Sequence, residues 1–459
     1  MTGPSRRREA ARSFPIPWAL GLLWACACSV EPGSAPEPES RSAPRESRSS
    51  PPESRSAPRA ATHLPRIERR GELSILHVRG SFAERGFDHG KLLGREVAAV
   101  VRAEFEARFA RAPRLLELAR ASLPRLIEFP GDVEAEIEGL HRGLLASGAD
   151  LSMPELGREI DLLDLKVANA LDVLGLMACS GFTLHGEQVE GGGVLSGRNF
   201  DWPFTGPHMI DHALVLVEHG EDGATASVTW PGYVGAVTGV NDEGVAVFLH
   251  VGTGKITRSP EPDSWPTAAA AAEILRTVRA PYGDDPDRCL SLLGYTSPPI
   301  GFITRVAFPE ALPDGSFVAV FEADRNRVVR APAQAIPVTT NHFIAHGGRR
   351  ASRDSTDREK AIRSGIGRCL SVGDHRVSLA EAWDLLRSVD RGGKHAFGTL
   401  HALVFRPDPW YFELRLAEWR DGALIPATRS ERRYRLARAD LFGEDPERRE
   451  NATGAGSGR

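Results

Sequence analysis

The pattern of apolar positions along the chain changes at Cys179. Between residues 82 and 176, apolar side chains recur at spacings of three and four, which predicts a series of amphipathic helices. Four prolines are expected to divide this stretch into separate helices: Pro113, Pro124, Pro130 and Pro154. Ahead of it, residues 73–78 alternate between apolar and polar side chains, as in a half-buried strand.

After Cys179 the chain consists mainly of short β-runs separated by glycine-rich or acidic turns. The predicted strands are 182–184, 194–200, 214–218, 226–230, 236–240, 245–251, 302–308, 316–322, 328–330, 336–340, 400–405 and 411–417. Helices are predicted at 268–278, 357–370 and 379–389. Strands, then helices, then strands again favour a layered α+β fold.

The two ends of the chain differ from its middle in composition. Arginines at positions 6–8 precede an apolar run at 14–30, so residues 1–30 are typical of a signal peptide. Cys26 and Cys28 each lie in a context that resembles a bacterial lipobox, so a lipid anchor and plain secretion both remain open. Residues 31–64 repeat a seven-residue Ser/Arg/Pro unit without an apolar seam, which predicts a disordered linker. Residues 446–459 are expected to form a disordered tail.

Composition excludes several classes of protein. The 41% of hydrophobic residues suffices for a sizeable core, and a mean hydropathy of −0.26 argues against a polytopic membrane protein. A net charge of −4 and a pI of about 6.4 give no electrostatic footprint for nucleic acid. Five cysteines in 459 residues do not form a disulfide scaffold.

Candidate chemistry centres on Cys179, which lies where the helical pattern ends. About twenty residues later the sequence returns with Arg198 and Asp201, after a glycine turn. A hairpin would bring both beside the cysteine. A guanidinium near a thiol lowers the thiol pKa and makes a better nucleophile, and a carboxylate could orient an amine. The plainer alternative is a buried structural cysteine next to a surface ion pair.

Cys179-Ser180 followed by residues 197–202 (Gly-Arg-Asn-Phe-Asp-Trp) resembles the cysteine N-terminal-nucleophile (Ntn) hydrolases. The resemblance is greatest to the acyl-CoA:6-aminopenicillanate acyltransferase family, the C45-type peptidases. Four further segments resemble family motifs in family order: 80–90 (a G…E.G..HG element), 239–245 (G-x-N-x-x-G), 340–343 (T-N-H-F) and 354–358 (S-x-x-R).

This resemblance implies an Ntn αββα sandwich, with two stacked antiparallel sheets between helical layers. It also implies self-cleavage between Ala178 and Cys179. Residues 65–178 would then form a small helical subunit bound to a catalytic region, 179–445, as a heterodimer of the two fragments. The new α-amine of Cys179, with a pKa of about 7.7–8.0, would serve as the base for its own thiol.

The resemblance also assigns roles around the nucleophile. The thiolate would attack an acyl carbonyl and form a thioester. Asp201 would hold the α-ammonium, Arg198 would polarise the site, and Asn341 would donate to the oxyanion. Three further residues are assigned to the same site. Arg358 would complete the charged shell, unless it only pairs with a helix-start aspartate. His250, where relatives often have asparagine, and Asn199 are tentative substrate or oxyanion contacts.

The expected function is therefore that of an exported, self-processing hydrolase or acyltransferase acting on an amide, in the periplasm, on a membrane anchor or outside the cell. No metal or organic cofactor and no nucleic acid partner is implied. Two alternatives remain: an inactive Ntn-fold lipoprotein that only binds ligands, and an unprocessed Cys/His hydrolase using His342 or His401. The substrate, and the choice between water and an amine as acceptor, stay open.

Overall fold

The computed structural model describes residues 65–171, 177–252, 264–296, 298, 301–346, 351–393 and 397–443. The predicted signal peptide (1–30), linker (31–64) and tail (446–459) lie outside the described residues. Among the residues described, no helix is both long and apolar enough to cross a bilayer.

The segment before Cys179 is mostly helical, as expected, and follows a two-stranded start. Its strands and helices are β1 (Arg66–Arg70), β2 (Leu73–Arg79), α1 (Phe82–Leu92), α2 (Gly94–Phe109), α3 (Pro113–Leu126), α4 (Gly131–Ser147), β3 (Ser152–Met153), β4 (Arg158–Glu159) and α5 (Leu162–Ala168). Two expectations were wrong. Pro124 lies inside the last turn of α3, where a missing amide removes only one bond, and β3 pairs with β4 inside the stretch predicted to be helical.

A nine-stranded sheet joins this segment to the rest of the chain. Its further strands are β7 (Leu214–His219), β8 (Ala224–Thr229), β9 (Thr238–Asn241), β10 (Ala246–Val251), β11 (Phe302–Ala307), β12 (Val318–Asp324) and β13 (Arg327–Arg330). The strand order is β1-β2-β7-β8-β9-β10-β11-β12-β13. Only the β2–β7 pair is parallel, and it joins the two strands from before Cys179 to the strands that follow it in one sheet.

A second, six-stranded sheet carries the candidate nucleophile. Its strands are β5 (Ser180–His185), β6 (Val194–Pro203), β14 (Val338–Thr339), β15 (Phe397–Arg406), β16 (Tyr411–Leu416) and β19 (Arg433–Arg435), in the order β14-β5-β6-β15-β16-β19. All of its pairs are antiparallel. A separate hairpin joins β17 (Glu418–Arg420) to β18 (Ala423–Ile425).

The remaining helices of the described residues follow Cys179, and four of them pack on the outer faces of the two sheets. They are α6 (His208–Asp211), α7 (Thr267–Thr277), α8 (Asp285–Leu293), α9 (Arg353–Ser371), α10 (Leu379–Arg387) and α11 (Arg438–Phe442). The predicted helices at 268–278, 357–370 and 379–389 correspond to α7, α9 and α10. The helix α9 starts four residues earlier than predicted, where Ser352 caps it by accepting from the Ser355 amide.

Side chains alternate between the two faces of each strand, so each sheet packs on the other sheet with one face and on helices with the other. This gives four layers. On β2, Leu73 and Ile75 pack between the sheets, whereas Leu76 and Val78 pack against the helices of the N-terminal segment. On β10, Phe248 faces the second sheet, and its neighbours on either side pack under α7 and α8. The outer face of the six-stranded sheet packs on α9 and α10. The expected α+β class and αββα layering are therefore confirmed.

Glycines allow α1 and α4 to pack backbone against backbone. Gly86 and Gly90 on α1 meet Gly139 and Gly143 on α4, and a Cβ at Gly86 would lie 1.9 Å from the carbonyl oxygen of Glu136. A Cβ at each of the other three would also lie within about 2.2 Å of a carbonyl oxygen on the opposing helix. The glycines of the 80–90 motif thus set the spacing of the helical layer.

We predict that Gly139→Ala lowers the free energy of unfolding by about 1–3 kcal/mol or more, because its Cβ would lie 2.2 Å from the Ala83 carbonyl oxygen. Urea denaturation of the chain from Pro65 onward measures the change. Gly131→Ala is the matched control on α4, since nothing lies within 4 Å of its Cβ. That control should leave stability unchanged or raise it by less than about 1 kcal/mol. Equal denaturation midpoints for the two variants would contradict this account of the helix pair.

Candidate active site

The nucleophile candidate directly precedes a strand of the six-stranded sheet. Cys179 is followed by β5, which pairs antiparallel with β6 so that Gly181 faces Arg198 across the ladder. The connection between these strands includes Gly191, Gly192 and Gly193, all with φ between 74° and 76°, a backbone region that favours glycine. The hairpin expected from the sequence is present, and it brings Arg198 back to Cys179.

The thiol of Cys179 is fully buried and contacts a guanidinium. Arg198 Nη2 lies 3.4 Å from the sulfur, and Arg198 Nη1 lies 3.4 Å from His250 Nε2. Thr339 Oγ1 lies 3.1 Å from the same ring nitrogen. Contacts therefore connect Thr339 on β14 to His250 on β10, His250 to Arg198 on β6, and Arg198 to the Cys179 sulfur. They lie in the space between the two sheets.

The expected direction of the thiol pKa was wrong. Burial raises the pKa of Cys179 above its ordinary value, and this effect outweighs the lowering by Arg198. Burial likewise lowers the pKa of Arg198, and burial with the charge of Arg198 lowers that of His250 well below its usual range. His250 is therefore neutral, and the thiol of the uncut chain is protonated near neutral pH.

Hydrogen bonds hold the backbone on both sides of the Ala178–Cys179 bond. The Ala178 amide donates to the Asp201 carbonyl oxygen at 2.9 Å. On the other side, Arg358 Nη1 donates to the Cys179 carbonyl oxygen at 2.7 Å and to Ser180 Oγ at 2.5 Å. The peptide bond expected to be cleaved is thus clamped between β6 and α9.

Asn341 and Arg358 form one network around the same backbone. Asn341 Nδ2 donates to the Val251 carbonyl at 2.7 Å and to the Met177 carbonyl at 3.3 Å, while its Oδ1 accepts from Arg358 Nη2 at 2.7 Å. Arg358 also forms the suspected ion pair with Asp354, at 3.0 Å. A single guanidinium therefore reaches both the carboxylate of Asp354 and the backbone of Cys179.

Asp201 is the buried carboxylate of the site. Its Oδ1 accepts from Thr399 Oγ1 at 2.7 Å, and its Oδ2 lies 3.3 Å from Arg391 Nε. Burial raises its pKa to about 6, although Arg358 and Arg391 pull in the opposite direction. Sequence reasoning missed Arg391, which lies in the loop after α10 without a motif or a periodic position to mark it.

A second missed residue is Arg305, which is fully buried on β11. Its Nη2 donates to the Gly197 carbonyl oxygen at 2.9 Å, and a Cβ at Gly181 would lie 2.5 Å from the same nitrogen. Its charge helps to lower the pKa of His250. Arg305 is the one charged residue in the predicted strand 302–308, and this is a signal that could have identified it.

Three other candidates have hydrogen-bond partners other than the thiol. Asn199 points to the opposite face of β6 from Arg198, and its Nδ2 donates to the Leu386 carbonyl at 2.8 Å. His401 stacks on Phe200 and lies 3.0 Å from Thr238 Oγ1, and His342 Nδ1 lies 2.9 Å from Ser355 Oγ. Among the described residues neither histidine has a hydrogen bond to the thiol, and Asn199 anchors α10.

Comparison with known proteins finds similarities of low sequence identity. No family model matches the chain. An uncharacterized protein of Archaeoglobus fulgidus is 24% identical over 195 residues, which cover 38% of this chain and 32% of that protein, so the chain spans about a third of the length of the curated relative it matches.

Among solved structures, an N-acylethanolamine-hydrolyzing acid amidase ortholog from Caenorhabditis elegans is similar to this chain. The alignment includes 56% of this chain and 100% of that protein, at 12% identity and a TM-score of 0.35. A variant of conjugated bile acid hydrolase from Clostridium perfringens covers 58% and 99%, at 10% identity and 0.35. Penicillin V acylase from Agrobacterium tumefaciens covers 58% and 89%, at 14% identity and 0.34.

We predict that the free energy of unfolding of Cys179→Ala, which is expected to stay uncut, minus that of the double variant Cys179→Ala/Asp201→Asn, falls as the pH rises from about 4 to about 6. A carboxyl whose pKa is raised from 3.8 to about 6 in the fold binds its proton more tightly when native, so the native state loses stability as this proton leaves. The expected fall is about 3 kcal/mol. Urea denaturation at several pH values measures it, and parallel pH profiles for the two proteins would contradict it.

Proposed function

We propose that this chain is a self-processing cysteine Ntn amidohydrolase or acyltransferase of the C45 type, which breaks a C–N amide bond through a thioester on Cys179. The observation that carries this proposal is the buried Cys179 thiol, 3.4 Å from Arg198, at the start of a strand whose preceding peptide bond is clamped on both sides. A structural cysteine would need neither the clamp nor the guanidinium.

Self-cleavage is the first reaction in this proposal. The thiol of Cys179 attacks the carbonyl carbon of Ala178, a C–S bond forms, and the C–N bond breaks as the nitrogen takes a proton and becomes the α-amine of Cys179. Water then hydrolyses the thioester, which releases the Ala178 carboxylate and restores the thiol. The bonds from Ala178 to Asp201 and from Arg358 to Cys179 support this step, because they keep the peptide from turning away.

Substrate turnover uses the base that this cut creates. Because burial raises the pKa of the thiol, a base has to be supplied next to it. The α-amine, with a pKa of about 7.7–8.0, takes the thiol proton, and the charge of Arg198 stabilises the thiolate. The thiolate attacks the acyl carbonyl carbon and forms the thioester, and the C–N bond of the substrate breaks as the α-ammonium gives its proton to the leaving amine. Water or a second amine then attacks the thioester, takes the acyl group and restores the Cys179 thiol. Asp201 holds the α-ammonium while it exists.

Two donors are available for the oxyanion. Asn341 Nδ2 is bound to Met177 and Val251 in the uncut chain, and the cut lets the Met177 carbonyl move away from it. Nε2 of the neutral His250 faces the donors of Arg198, so Nε2 accepts and Nδ1 carries the proton that the ring can donate. One such donor contributes about 3–4 kcal/mol in other acyl-transfer enzymes.

We also propose that the chain is exported, with residues 1–30 as the signal and Cys26 or Cys28 as a possible lipid attachment site. The pattern of the first 30 residues supports this proposal. Cell fractionation of the full chain, with radiolabelled palmitate and a Cys26→Ser/Cys28→Ser variant, tests it. Label that depends on these cysteines supports the anchor, label-free protein outside the cytoplasm supports secretion, and a cytoplasmic chain overturns export.

We predict that wild-type protein expressed from Pro65 onward separates into residues 65–178 and 179–459, whereas Cys179→Ala remains one chain. Intact mass measurement distinguishes the two. Cys289→Ala is the matched control, since this cysteine is equally buried but lies in α8, and it should be cut like the wild type. Amide hydrolysis should fall at least about 10³-fold in Cys179→Ala only.

An uncut wild type that still hydrolyses amides would remove the α-amine base and favour an unprocessed thiol hydrolase. An uncut wild type without hydrolysis would favour a binding protein.

A further inference from the structure

An apolar cavity lies beside the strand that carries Arg198. Its space amounts to about 630 Å³ when the part that is open to solvent is included. From the region after Cys179 it is lined by Phe200, Trp202 and Met209, and from the region before Cys179 by Val101, Phe105 and Leu171. The cavity therefore crosses the boundary between the two expected fragments.

One lining residue of the cavity, Phe200, lies on the same strand as Arg198. Phe200 follows Arg198 on the same face of β6, and its ring centroid lies 5.5 Å from the guanidinium carbon of Arg198. Phe200, Trp202 and Leu171 pack in the same apolar cluster as Cys179. An acyl carbonyl at the sulfur could therefore extend its carbon chain into this space.

Polar contacts from the N-terminal segment hold the far wall of the cavity. Asn169, just after α5, donates to the Gly232 carbonyl at 2.8 Å and accepts from the Val234 amide at 2.9 Å. His89 on α1 accepts from the Gly232 amide at 3.0 Å. Gly232 itself has a φ of 92° and lines the cavity. The segment before Cys179 thus supplies part of the wall and positions the loop that forms the rest.

The lining offers no free charge to a ligand. The one carboxylate in it, Glu104, is buried and bonded to Arg108, Thr205 and His208. The indole N–H of Trp202 is buried without an acceptor among the described residues, so one neutral donor is available. An uncharged, bulky aliphatic or arylalkyl group fits this chemistry, and a carboxylate or ammonium does not.

We propose that this cavity is the acyl subsite, and that Val101 and Phe105 on α2 help to set which amides the enzyme accepts. The substrate class is an amide whose acyl group is apolar and uncharged. This inference rests on the proposed function, because it assigns the cavity to the acyl group that Cys179 would receive.

The test compares p-nitroanilides of acetic, hexanoic, phenylacetic and succinic acids, which share one leaving amine. Each buried methylene should raise kcat/KM about three- to fourfold, so hexanoyl should exceed acetyl by on the order of 100-fold, and succinyl should not. Val101→Phe, which fills the cavity, should lower the hexanoyl-to-acetyl ratio by about tenfold. Met209→Ala, which enlarges it, should move the optimum to longer acyl chains.

Ala107→Phe is the matched control, on the exposed face of the same helix, and should leave the ratio unchanged. If Val101→Phe fails to fold, the shift expected for Met209→Ala still tests the proposal. Hydrolysis that ignores acyl size, or a ratio unaffected by both cavity variants, would overturn the acyl subsite alone. Release of no p-nitroaniline from any anilide would overturn the proposed function and the subsite with it.

Discussion

The candidate site depends on a positive charge buried between two sheets. Removing a guanidinium from water costs several kcal/mol unless its donors find partners. Arg198 finds the Cys179 sulfur and His250, at 3.4 Å each. Each sheet supplies part of this arrangement. Arg198 lies in the six-stranded sheet and Cys179 directly precedes one of its strands, whereas His250 lies in the nine-stranded sheet. The layered fold therefore holds Arg198 and the Cys179 thiol together and shields them from water.

A second consequence of burial is that the thiol resists ionisation. The same desolvation that strengthens the contact with Arg198 raises the pKa of Cys179 and that of Asp201. The site of the uncut chain thus holds its protons, and a nearby base would be required to remove the one on sulfur. Arg358 and Asn341 hold the adjoining backbone in place, so a newly formed amine would remain beside the thiol.

Local pattern predicted much of this arrangement. The hairpin that joins Cys179 to Arg198 follows from two β-runs and a glycine turn, and the layered α+β class follows from the change of periodicity at Cys179. The arrangement in four layers was implied by the resemblance and not by the pattern. The errors concern contacts between distant parts of the chain. Arg391 reaches Asp201 from a loop after α10, and nothing local marks it. The sign of the thiol pKa depends on complete burial, which spacing does not reveal. Asn199 was misjudged because its strand turns it toward α10.

If Cys179 receives an acyl group from an amide, the acylated enzyme can be trapped. The measurement is to mix the protein with a hexanoyl anilide, quench in acid, and map the added mass by peptide mass spectrometry. We expect one hexanoyl group on the Cys179 sulfur, labile to hydroxylamine as a thioester is. Release of the amine without acylation of Cys179, or with the group on another residue, would contradict it.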